Sequence, residues 1–119
     1  DALQRGDFQV ARAGWIADIP APENFLENFL STAEGRNYSG YANPAFDAAY
    51  ERALRVATPD ARQAAMTQAE GVMMNDWPVI PYYYYTNRAL VSRRVEGWHS
   101  NAMSSHPNCD LRLSGGARL

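Results

Sequence analysis

Two stretches of the chain carry apolar residues at helical spacing, and both open with the same start signal. Asn43-Pro44 puts an N-cap residue before a proline at the first helical position, and Thr58-Pro59 repeats the arrangement. After the first, Phe46, Ala49, Tyr50, Ala53 and Leu54 form a stripe that predicts a helix to about Ala57. After the second, Ala61, Ala65, Met66, Ala69, Val72 and Met73 supply the buried side of a helix running to about Asn75. The link between the two is too short for them to be anything but neighbours. Small alanines permit close packing and methionines fill gaps, so ordinary core is the better reading than a methionine-lined groove.

The flanks read differently. Phe8-Gln9-Val10-Ala11 alternates bulky with small or polar side chains, which predicts a strand over 8–14. Pro20 and Pro22 stop it from continuing as sheet interior. Ala21 to Asn24 begin a short helix with Phe25, Leu26, Phe29 and Leu30 on one side. Residues 31–43 hold Gly35, Asn37, Gly40 and Asn43 without apolar period, a loop and the best candidate for a mobile segment. Beyond the helices, Pro78-Val79-Ile80-Pro81 starts an extended run in which Tyr82 and Tyr84 face one way and Tyr83 and Tyr85 the other. Ala89-Leu90-Val91 predicts one more short strand, and from Glu96 onward Gly97, Pro107 and Gly115-Gly116 predict an irregular end. The fold class is therefore α/β, in the order strand–loop–helix–helix–strand with C-terminal strands.

Composition narrows the function. With 119 residues, 46% hydrophobic and 12% aromatic, the chain has material for a core and the length of one small domain or part of a larger one. A net charge of -2 gives no basic footprint, so nucleic acid is not an expected partner. No apolar run has the length of a membrane span, and no lipid-attachment cysteine stands near the start. The single cysteine, Cys109, excludes an internal disulfide. An enzyme would have to use His99, His106, Cys109 and Asp110, but the histidines stand seven apart in an irregular segment, which is no recognised ligand spacing. No catalytic residue, metal or cofactor is expected.

The residues with candidate chemistry lie in Arg12-Ala13-Gly14-Trp15-Ile16-Ala17-Asp18, which places a cation, a large aromatic and an anion within seven positions. They sit where the predicted strand ends, and open α/β folds collect ligand-binding groups at strand ends. The competing reading is a structural Arg12–Asp18 ion pair beside a core tryptophan.

The stretch from Gly6 to Pro20 resembles a signature of the peptide-binding proteins of bacterial ABC importers. Tyr38-Ser39-Gly40-Tyr41-Ala42-Asn43-Pro44-Ala45-Phe46-Asp47, the helical pair, and Trp77-Pro78-Val79-Ile80-Pro81-Tyr82-Tyr83-Tyr84-Tyr85-Thr86-Asn87 follow in the family's order. The resemblance covers roughly residues 6–100. It implies two α/β lobes, joined by crossing strands, that close over a peptide outside the cytoplasm. Family members are several times longer, and the chain opens at Asp1 without an initiator Met or the parts of an export signal. The expectation is a C-terminal fragment, with residues 1–82 ending the second lobe and 83–119 forming the crossover and the return to the first. By the same resemblance Asp18 binds a peptide's α-amino group, Arg12 meets its carboxylate, and Trp15 is a wall of the pocket. The implied partners are short peptides and the importer's membrane subunits. Nickel complexes, sugars or opines are the alternative ligands, and a fragment with no binding activity is a further alternative. Some family members carry another carboxylate-binding arginine where this chain has Leu3, which leaves peptide length open. Strands parted from their lobe would leave the fragment prone to oligomerise or swap strands.

Overall fold

The computed structural model describes residues 2–101 and 103–115. They fall into two compact units, residues 1–81 and 82–119. The first is helical: α1 (Ala2–Arg5), α2 (Glu23–Leu26) continued by a 3-10 turn over Glu27–Phe29, α3 (Pro44–Leu54) and α4 (Pro59–Asn75).

Both α3 and α4 start where the sequence predicts, but only Asn43 caps with its side chain. The Asn43 Oδ1 accepts from the N–H groups of Ala45 (2.8 Å) and Phe46 (3.4 Å), satisfying donors that the first turn of α3 leaves without helical partners. Thr58 begins α4 from an extended backbone without a side-chain cap, and Pro59 fixes the first helical φ. At the other end of α3, an Arg62 guanidinium N–H donates to the Leu54 carbonyl at 2.6 Å, so a cation meets the negative end of the helix.

The core lies between α3, α4 and the α2 segment: Leu26, Phe46, Ala49, Tyr50, Ala53, Met66, Ala69 and Met73, with Phe29, Leu30, Tyr41, Ala65 and Val72 packed around it. Three positions assigned to apolar stripes lie outside it. Leu54, Phe25 and Ala61 are exposed. The buried side of α4 runs through 66, 69 and 73, and Ala61 falls beside that line in the first turn. Tyr50 donates to the Glu23 carbonyl at 3.3 Å, tying α2 to α3. The helix hairpin is closed by Asp76, just past α4, whose Oδ2 accepts from the Asn43 amide (2.6 Å) and the Tyr41 hydroxyl (2.8 Å).

The strands predicted from sequence are not formed among the described residues. Residues 8–14, Tyr82 to Tyr85 and Ala89 to Val91 are not in any ladder among the described residues. Alternation supplies a strand's shape, but its hydrogen bonds must come from a neighbouring strand. Val10 and Leu90 are exposed on these unpaired stretches. The tyrosine run keeps the predicted alternation: Tyr82 and Tyr84 are 89% and 95% exposed, Tyr83 and Tyr85 only 51% and 60%. Tyr83 and Tyr85 pack edge to face with centroids 5.1 Å apart.

In the second unit the segment read as irregular holds the one described sheet. β1 (Val95–Glu96) pairs antiparallel with β2 (Arg112–Leu113), Val95 opposite Leu113. The ladder is continued by the Ser114 N–H donating to the Arg94 carbonyl at 2.7 Å. Gly97 makes the approach possible: its φ is +83°, and a Cβ there would collide with the Asp110 carbonyl oxygen. The described fold is therefore a helical hairpin unit with a small antiparallel ribbon, a coarser α and β mixture than the expected two-lobe architecture.

The predicted mobile loop, 31–43, is a chain of hydrogen-bonded turns. Asn37 is its hub, donating to the carbonyls of Leu30 (3.2 Å) and Tyr41 (2.7 Å) and accepting from the Tyr41 N–H (3.1 Å). Ser31 is held to Asp47 of α3 through both its hydroxyl and its N–H.

Candidate functional site

The stretch carrying Arg12, Trp15 and Asp18 is mostly exposed and belongs to no described helix or strand as far as Pro20. There the Ala21 N–H donates back to the Ile19 carbonyl at 2.8 Å, a three-residue turn about the proline. That turn lays Trp15 to Asp18 beside α2, where one side chain fixes them. The Asn24 Oδ1 accepts from the Asp18 backbone N–H (2.8 Å) and from the Trp15 indole N–H (3.3 Å).

Asn24 is itself held. Its amide nitrogen donates to Glu27 Oε1 at 3.2 Å, and Arg36 bridges to the same oxygen at 3.1 Å. Its carbonyl accepts from the buried Asn28 amide at 3.2 Å. A carboxylate on one side and two N–H donors on the other leave the Asn24 amide only one satisfactory orientation.

Trp15 is 39% exposed, so it is not a core tryptophan: its indole N–H is bonded inward while part of the ring faces solvent. The Asp18 carboxylate is exposed and makes no hydrogen bond or ion pair among the described residues. It is an uncommitted anion on a turn whose backbone is fixed. Trp15 and Asp18 are thus brought together through Asn24. Arg12 lies on the same exposed stretch, six positions before Asp18, and has interactions of its own.

Asn24 was invisible to the motif reading, which treated it as a residue of a helix start. The only signal was an asparagine at a place where Ser, Thr or Asn commonly bonds to nearby backbone.

The residues of the enzyme reading form a different arrangement. His106 stacks on Trp98, centroids 3.5 Å apart and 20° between planes, while the Cys109 thiol donates to the carboxylate of its neighbour Asp110 at 3.7 Å. No group of three or more metal-ligating side chains occurs among the described residues.

Comparison with characterised sequences adds the wider frame. The periplasmic oligopeptide-binding protein OppA of Escherichia coli is 40% identical over 98 residues, 82% of this chain and 18% of that protein. The periplasmic murein peptide-binding protein MppA of the same organism is 37% identical over 101 residues, 85% of this chain and 19% of that protein. A more distant relative, a probable deoxycholate-binding periplasmic protein of Escherichia coli, is 31% identical over 98 residues, 82% of this chain and 18% of that protein. The chain therefore spans about a fifth of the length of the relatives it matches. These relatives are named as binding proteins, not enzymes. No protein-family model matches the chain.

Proposed function

This chain is a homologue of the C-terminal part of the periplasmic oligopeptide-binding proteins, and from that premise we propose that it supplies one face of the ligand site of an extracytoplasmic receptor that captures short peptides for an ABC importer. The observation that carries the reading is the uncommitted Asp18 carboxylate, presented beside Trp15 on a turn clamped by Asn24. A receptor for many sequences must hold what all peptides share, and a free α-amino group is the one cation common to them. Asp18 offers it an anion, Trp15 a flat wall, and Arg12 a guanidinium for a carboxylate.

Exposure sets what this face does alone. An ammonium meeting an exposed carboxylate gains only about 0–1 kcal/mol, because water and salt screen the pair. The attraction grows when a second surface closes over it and excludes water. On this reading residues 1–82 end one lobe, 83–119 cross to the other, and the unpaired stretches 8–14 and Tyr82–Tyr85 are strands of sheets completed elsewhere in the receptor. Isolated from those partners, the same edges favour self-association or strand swapping.

The deoxycholate-binding relative favours a second reading, a ligand without an amino group. Calorimetry on the whole receptor separates the two. Asp18→Asn should weaken a free-amine peptide by at least about 2 kcal/mol, the cost of leaving an enclosed ammonium unpaired, and leave an N-acetylated peptide unchanged. Unchanged affinity of Asp18→Asn for the free-amine peptide rejects Asp18 as the anchor.

A further inference from the structure

We propose that Asn24, which touches no ligand in the reading above, is the positioning residue of the anchor, setting where the Asp18 carboxylate and the Trp15 ring stand. The inference rests on the peptide-receptor reading and goes beyond it, because the clamp is a property of the α2 segment and not of the motif that carries Asp18.

Asp18 lies in a stretch with no ladder to hold it, and its neighbours Ile16 and Ile19 are 83% and 50% exposed. Among the described residues neither a ladder nor deep burial holds this backbone. One acceptor, Asn24 Oδ1, takes both the Asp18 N–H at 2.8 Å and the Trp15 indole N–H at 3.3 Å. One bond acts on the backbone of the anion and the other on the ring of the wall, so one atom sets the separation between the two. Behind it Glu27 holds the amide nitrogen and Arg36 holds Glu27, at 3.2 and 3.1 Å. The orientation is thus transmitted from Arg36 through Glu27 and Asn24 to the site.

The consequence is pre-organisation. A ligand meeting an anchor already in place loses less free energy to ordering the turn and the tryptophan side chain. Removal of the Asn24 amide leaves Asp18 and Trp15 chemically intact and frees both to move. Affinity falls while the identity of the contacts is kept.

The test compares Asn24→Ala, the double variant Asn24→Asp with Glu27→Gln, and Asp18→Asn in the receptor carrying this chain. The double variant keeps an acceptor for both N–H donors and exchanges which partner of the 24–27 bond is amide and which is carboxylate. Two readouts are taken: affinity for a free-amine tripeptide by calorimetry, and hydrogen exchange of the Trp15 indole N–H by NMR. Asn24→Ala is expected to weaken the peptide roughly tenfold and to speed indole exchange, with helix content unchanged by circular dichroism. The double variant is expected to recover indole protection and most of the affinity. Normal affinity in Asn24→Ala beside a weakened Asp18→Asn overturns the positioning role and leaves the site reading standing. Normal affinity in Asp18→Asn overturns the site reading itself, and the proposal with it. Weakened binding in Asn24→Ala with unchanged indole exchange also overturns the proposal, since the loss would not pass through the clamp.

Discussion

Substituting Asn43 separates what a helix cap needs from what this hairpin needs. Propensity ranks Asn, Asp and Ser as near-equal N-caps, so Asn43→Ser and Asn43→Asp should be almost silent on that ground alone. The structure breaks the tie. Asn43 Oδ1 caps α3, while its Nδ2 donates to Asp76 at 2.6 Å across the mouth of the hairpin. Asn43→Ala removes the cap, about 1 kcal/mol within a range of roughly 0.5–2, and the Asp76 bond with it. For a unit the size of residues 1–81, ~1 kcal/mol corresponds to about 4–8 °C in Tm. Asn43→Ser keeps the cap and loses the amide donor, so it should fall between the alanine variant and the natural chain. Asn43→Asp keeps the cap and sets a second carboxylate against Asp76, so at pH 7 it should be less stable than the serine variant. The order should change with acid. The Asn43 amide, and after it the Tyr41 hydroxyl, hold the Asp76 pKa below its ordinary value. A depressed carboxylate contributes stability above its unfolded pKa, near 3.9, and loses it as pH falls through the folded value. The gap between the natural chain and Asn43→Ser should therefore narrow in acid. In Asn43→Asp the paired carboxylates can share a proton there, so that variant should recover most. Thermal unfolding followed by circular dichroism at pH 7, at about pH 4 and at about pH 2, the last below the unfolded carboxylate value, measures the order. An aspartate variant as stable as the natural chain at pH 7 would refute the two-sided role of Asn43.

Three further outcomes follow from other parts of the structure. Burial, and then its bond to Asp76, push the Tyr41 pKa up to about 12; ultraviolet titration should show one tyrosine ionising last, and Asp76→Asn should move it only part of the way to 10, because burial is the larger cause. Since Tyr41 is raised in the folded state, its contribution is complete below pH ~10 and is lost as pH rises through about 12. Phe46→Ala empties a fully buried site between Tyr41 and Tyr50 and should cost about 3–5 kcal/mol in urea unfolding. Gly97→Ala drives a Cβ into the Asp110 carbonyl at a left-handed φ, so the Ser114 amide should lose protection from exchange while the α3–α4 hairpin keeps its own.

The sequence by itself determined the parts whose causes are local. Asn43-Pro44 and Thr58-Pro59 start α3 and α4 where they stand, because the proline fixes the first helical φ at both and the Asn43 side chain caps α3, all within one turn. Phe46, Tyr50, Met66 and Met73 are buried as their spacing required, and the motif holding Asp18 and Trp15 could be picked out before any fold was known. Tertiary structure decided what depends on residues distant along the chain. Residues 8–14 and Tyr82–Tyr85 have a strand's alternation, yet no neighbouring strand pairs with them among the described residues. The ribbon at Val95 and Leu113 escaped periodicity because two-residue strands are too short to show one, and Gly97, which permits the close approach, reads in sequence as a sign of an irregular end. Asn43 meets Asp76 across 33 residues, and Asn24 meets Asp18 across a proline turn. Asparagine carries no period and no charge, so nothing in one dimension distinguishes an asparagine that clamps a turn from one that merely begins a helix. Its role comes from the donors and acceptors that folding brings to its two ends.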